Sequence, residues 1–147
     1  MFKHILIPTD GSELSAKAIR AGVELAAAVG AKVTGFFAAP AATPVIYGDL
    51  LPVGYVTPDE HAALIQAATR KHLGLVEETA RAAGVPVDVV SVTSEYPAES
   101  IVESARDRGC DLIFMASHGR RGLKGILLGS ETHKVLVHSG IPVLIYR

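Results

Sequence analysis

Hydrophobic and polar positions follow two alternating rhythms along this chain. Ile5-Leu6-Ile7 is a short apolar run stopped by Pro8-Thr9-Asp10-Gly11, the pattern of a buried strand followed by a turn. Leu14, Ala18, Gly22, Leu25, Ala26 and Val29 then recur at helical spacing, and Gly30 supplies a stop. Val33-Thr34-Gly35-Phe36-Phe37-Ala38 predicts a second strand, whose glycine marks a close approach of helix to sheet. A long helix is expected from Asp59 to Ala83, with Leu64, Ile65, Ala68, His72, Leu75, Val76 and Ala80 as its stripe and Gly84 and Pro86 beyond its end. Val87 to Val92 reads as a third strand. Pro97-Ala98-Glu99 opens a helix that buries Ala98, Ile101, Val102 and Ala105 and closes at Gly109. Leu112 to Ala116 is a fourth strand, a helix can begin at Gly129-Ser130, and Pro142 to Tyr146 is a fifth strand.

Strands that alternate with helices call for right-handed crossovers and a parallel sheet covered on both faces. Ligands of such sheets sit at the carboxyl ends of the strands, where the winding direction reverses. The first and fourth strands carry polar chemistry at that end, Thr9-Asp10 on one and Ser117-His118-Gly119 on the other. If these strands are neighbours, the site falls between them. The segment from Pro40 to Pro58 obeys neither rhythm. Its prolines, with Gly48 and Gly54, forbid a regular element, yet Val45, Ile46, Tyr47, Leu50, Leu51, Val53, Tyr55 and Val56 are apolar. A lid, a partner contact and a variable surface insertion are all open readings.

The stretch after the fourth strand changes the picture most. Gly119, Gly122, Gly125 and Gly129 are interleaved with Arg120, Arg121 and Lys124, and a helix start follows. Glycines let backbone N–H groups approach oxyanions, and a helix N-terminus adds unpaired donors and partial positive charge. The stretch reads as a phosphate cradle. It lacks the Gly-Lys-Ser/Thr of a Walker loop and the dinucleotide Gly-x-Gly-x-x-Gly, and Asp10 stands without the acidic cluster of a receiver-type phosphoacceptor.

With 147 residues the chain suits one domain, residues 1–147, and 49% hydrophobic against 20% charged residues fits a packed core rather than disorder. A formal net charge of −1 argues against a general nucleic-acid binder. Cys110 is the one cysteine, so no internal disulfide forms, and no run reaches the length of a membrane span or a signal peptide. A cytoplasmic domain is expected.

These residues resemble a known family. Ile5-Leu6-Ile7-Pro8-Thr9-Asp10-Gly11-Ser12-Glu13, Cys110 to Arg120, Leu127-Leu128-Gly129-Ser130 and Ile141-Pro142-Val143-Leu144-Ile145 are similar to the universal stress proteins over essentially the whole chain. The ATP-binding branch carries Gly-x-x-Gly, nine residues, then Gly-Ser or Gly-Thr; here Gly119 and Gly129-Ser130 match, and Ala116 replaces the first glycine. The resemblance implies an adenine-nucleotide alpha hydrolase-like fold, doubly wound, five-stranded and parallel in the order 3-2-1-4-5 with helices on both faces. It implies ATP or another adenine nucleotide with Mg²⁺, and Asp10 beside the ribose or holding the metal. Pro8, Thr9 and Ala38 would border the adenine. The cradle of Ala116, Ser117, His118, Gly119, Arg120, Arg121, Gly122, Gly129, Ser130 and Glu131 would meet the phosphates. Glu131 departs from the small apolar residue of the family; its carboxylate must point away or repel phosphate. The implied role is a stress-response sensor or regulator, a homodimer joined through the last strand, 142–146. A regulator that binds no nucleotide and a slow ATP hydrolase remain alternatives.

Each candidate also has a plain structural reading. Asp10 with Glu13 suits the cap of the first helix, and Ser130 suits the cap of the last. His118 suits a loop-ordering hydrogen bond, and His72 with His61 lacks metal-ligand spacing, so a core-edge role is expected for His72. Cys110 is expected to be inert at the opposite end of the sheet, and His133 and His138 to lie on a helix surface.

Overall fold

The computed structural model describes residues 1–41, 56–119 and 127–147. The segment between Pro40 and Pro58 and the cations Arg120, Arg121 and Lys124 therefore lie wholly or largely outside the described residues. In chain order the elements are β1 (His4–Pro8), α1 (Glu13–Val29), β2 (Lys32–Ala39), α2 (Pro58–Ala82), β3 (Val87–Thr93), α3 (Pro97–Asp107), β4 (Leu112–Ala116), α4 (Ser130–His138) and β5 (Val143–Tyr146). The strands form one sheet in the order β3-β2-β1-β4-β5, every neighbour pair parallel. This is the adenine-nucleotide alpha hydrolase-like arrangement, with β1 and β4 adjacent at the reversal of winding.

Strand pleating splits the core into two layers. Ile5 and Ile7 of β1 with Leu112, Phe114 and Ala116 of β4 meet Ala18, Ile19 and Val23 of α1 and Val76 and Ala80 of α2. On the other face Leu6, Phe36, Ile113 and Met115 meet Ala98, Ile101 and Ala105 of α3 and Val135 of α4. The close approach predicted at Gly35 is present, and Gly22 of α1 makes a second. A Cβ at Gly35 would lie 2.9 Å from Val76 Cγ1, and one at Gly22 would lie 2.8 Å from Ile7 Cδ1. Ala116 is a strand residue, and among the described residues no non-glycine has positive φ, so alanine replaces the family glycine there without backbone strain.

Three local expectations are corrected. The cap of α1 is Ser12, whose side chain accepts from Ser15 N at 3.1 Å; Asp10 instead accepts from Ser12 N at 2.9 Å, and Glu13 pairs with Lys17 at 3.2 Å. The cap of α4 is Gly129, and Ser130 is its first helical residue. Leu64 leaves the stripe of α2 and is 61% exposed, while Leu73 joins the buried set. A helix of 25 residues is about 37 Å long. The 8 residues of β2 span only about 26 Å, so the first turns of α2 overhang the sheet. Thr57 and Glu60 form a reciprocal capping box that holds this overhanging start.

Candidate functional site

β1 ends at the buried Pro8, and its exit is tied down on both sides. Thr9 N donates to Phe36 O of β2 at 2.9 Å, and the buried Thr9 hydroxyl meets Ser15 Oγ at 3.0 Å and accepts from Gly11 N at 3.2 Å. Gly11 has a φ of 76°, and a side chain there would run into the His72 ring, so the turn requires glycine twice over. His72 in turn meets Phe37 edge-on, with ring centroids 5.1 Å apart. The expected core-edge histidine is thus also a support for the turn that carries Asp10.

From β4 the chain leaves through Ser117, which is 1% exposed and donates its N–H to Tyr146 O at 2.7 Å. Gly129 N returns to Ser117 O at 2.7 Å, and the buried Thr132 hydroxyl donates to Ala116 O at 3.0 Å. These two bonds clip the start of α4 against the end of β4. A Cβ at Gly129 would lie 3.1 Å from His118 Cα, so glycine permits the closeness. Ser117 Oγ and His118 Nδ1 are 3.1 Å apart, which gives His118 the loop-ordering role expected of it.

The two exits meet at Gly119. A side chain there would overlap Asp10 Oδ2, so the carboxylate of the β1 turn lies directly against the backbone of the β4 loop. Asp10, Ser117, His118 and Gly119 are brought together with Gly129, Ser130 and Glu131. Ala38 lies at the carboxyl end of β2, beside this cluster in the sheet order. Arg120, Arg121 and Gly122 lie outside the described residues. The N-cap of α4 is a glycine that makes no side-chain cap bond, and among the described residues the amides and partial positive charge of its first turn suit an anion.

Glu131 resolves its own ambiguity. Its Oε2 accepts from Ala98 N at 3.0 Å, and its Oε1 pairs with Lys134 Nζ at 2.9 Å. The carboxylate thereby caps α3, whose own N-cap residue Tyr96 makes no side-chain capping bond, and it is directed to that helix rather than to free space. The hydrogen bond and charge of Glu131 raise the pKa of Lys134. Thr132 is a site residue that the sequence reading missed; its spacing of three from the buried Val135 was the available signal.

Among the described residues no cluster of three or more His, Cys, Asp or Glu could hold a metal ion. Asp10 suits a divalent cation only together with oxygens of a bound ligand. At the other end of the sheet Cys110 is buried, and desolvation pushes its thiol up to about 11, as an inert cysteine requires. There, His4 Nε2 and Thr34 Oγ1 lie 2.7 Å apart in the interior. Among the described residues no helix is long and apolar enough to cross a membrane.

The family model of the universal stress protein family matches residues 1–147. Universal stress protein YxiE of Bacillus subtilis strain 168 is 35% identical over 150 residues, covering 100% of both chains. Among solved structures, the protein MJ0577 superposes with a TM-score of 0.79 at 29% identity, covering 99% of this chain and 95% of the other. A universal stress protein in complex with cAMP superposes with a TM-score of 0.68 at 26% identity, covering 99% and 97%. A family-model match along the whole chain, with a relative 35% identical over its full length, shows that this chain belongs to the universal stress protein family.

Proposed function

We propose that this chain is a cytoplasmic stress-response regulator that binds ATP, or another adenine nucleotide, between β1 and β4. The observation that carries this reading is the contact of Asp10 with Gly119 beside an uncapped helix start. Backbone amides at Gly119 and in the first turn of α4 suit phosphate oxygens, and Ser130 adds a hydroxyl. Pro8, Thr9 and Ala38 border the base, and Asp10 takes the ribose or shares Mg²⁺ with the phosphates. The structure of a relative in complex with cAMP supports an adenylate as the ligand class. Glu131 is compatible with this reading because its carboxylate is engaged by Ala98 N and Lys134. Hydrolysis needs a group that orients an attacking water beyond phosphate positioning, so a slow ATP hydrolase is the lesser reading, and Mg²⁺-dependent loss of ATP that tracks Asp10→Ala would favour it.

Calorimetry of nucleotide-free protein with ATP, ADP and AMP tests the reading. Gly119→Val forces a side chain into Asp10 and is expected to weaken binding at least about tenfold, with Ser130→Ala a smaller loss. Unchanged affinity in both variants discards the cradle. A second reading, regulation through protein contacts alone, is favoured by the apolar surface of α4 and β5, where Val137 is 63% and Leu144 37% exposed. That surface also suits the homodimer through the last strand. The readings separate by mass spectrometry of any nucleotide released from purified protein.

A further inference from the structure

A groove of about 380 Å³ runs between the start of α1 and the middle of α2; Thr9 and Gly11 of the β1 turn line it, and Asp10, Gly119 and Ser130 do not. Its volume lies in the range of small-ligand sites. Lys71, Gly74, Leu75 and Glu78 recur at i, i+3, i+4 and i+7 and make one wall, and Ser12 and Ala16 belong to the other.

Gly74 is the informative residue. Glycine inside a helix is unfavourable relative to alanine, so its presence needs a reason. Among the described residues packing supplies none, because a Cβ at Gly74 would meet nothing within 4 Å there, in contrast to Gly22 and Gly35. What glycine preserves at this position is the open groove.

The charges agree. Neither Arg70 nor Lys71 takes part in an ion pair among the described residues, as is also true of Lys3, Arg20, Lys32 and Arg147, so both are available to a ligand. Both cations line the groove. Across from them, Ser12 Oγ accepts from Ser15 N, which leaves its own O–H to donate. Ala16 and Leu75 add apolar surface, and Glu78 disfavours a second anionic group at its end.

We propose that this groove binds a small phosphate monoester. Arg70 and Lys71 hold the oxyanion, Ser12 donates to it, and Ala16 and Leu75 flank the organic part. The groove adjoins the proposed adenylate site, since Thr9 lines it and Ser12 N donates to Asp10, but Asp10, Gly119 and Ser130 do not line it, and the titration below tells the two apart.

An amide NMR titration of the full chain tests it, with inorganic phosphate and with phenyl phosphate at constant ionic strength. Expected are saturable shifts at Ser12, Ser15 and Ala16 and along Arg70 to Leu75, with phenyl phosphate binding more tightly. Arg70→Gln with Lys71→Gln should weaken binding at least about tenfold. Gly74→Met should keep the dispersed spectrum of the folded protein and lose the shifts. The proposal is overturned by the absence of saturable shifts in the groove, by shifts confined to Gly119 and Ser130–Thr132, or by equal affinity in the double variant. The last two results leave adenylate binding at the strand ends untouched.

Discussion

At the scale of single residues, the polar groups that matter are those held where water cannot reach them. His4 is 7% exposed, its Nε2 lies 2.7 Å from Thr34 Oγ1, and its pKa is lowered below the ordinary 6.5. Burial is the main cause, and the Lys32 ammonium adds to it; a hydrogen bond to the Arg108 backbone and the charge of Asp111 oppose them. The unfolded chain therefore binds a proton at His4 more readily than the folded one. The stabilisation is fully present above about pH 6.5 and is lost as pH falls from there towards the lower folded value. Denaturant titrations between pH 7.5 and 5 are expected to show this loss in the native protein, at a slope no steeper than about 1.4 kcal/mol per pH unit from this group. His4→Gln, which keeps a partner for Thr34, should be flatter over the same range. Equal slopes would refute the assignment to His4.

At the scale of elements, α3 and α4 are joined by one carboxylate. Tyr96 leaves α3 without a side-chain cap of its own, and Glu131 supplies the missing acceptor from the first turn of the neighbouring helix. Glu131→Ala is expected to cost about 0.5–2 kcal/mol, the range of a lost cap. Hydrogen exchange should quicken at the first turn of α3 while the amides of β1 stay protected. Loss of protection in β1 instead would mean that the residue supports the fold as a whole. Sequence reading placed Glu131 at the phosphates because it follows Gly129-Ser130, and nothing in that local spacing signals a partner 33 residues away. The caps of α1 and α4 show the same limit at shorter range. Ser12 and Gly129 occupy the capping positions because of backbone angles, which composition alone does not specify. Strand and helix positions were legible throughout, because the alternation of apolar residues reports directly which side of each element faces the core.

At the scale of the whole molecule, β5 is an edge strand, and α4 beside it presents Leu136, Val137 and Leu144 of β5 to the surface. An exposed apolar edge invites a second strand. Sedimentation of the native chain is expected to show a dimer, and Val137→Glu with Leu144→Lys a monomer of unchanged secondary structure. A dimer that survives both substitutions would move the interface elsewhere.

What the sequence by itself determined is the alternation of five strands with four helices, the two-sided core, and the concentration of glycine, hydroxyl and acid at the ends of β1 and β4. These follow from periodicity and turn chemistry, which act over a few residues. Only the tertiary structure decided that Asp10 lies against Gly119, that Glu131 turns to α3, that His72 sits over Gly11, and that no described residue packs on Gly74. Those relations join residues far apart in the chain, and they depend on how closely helices settle on the sheet.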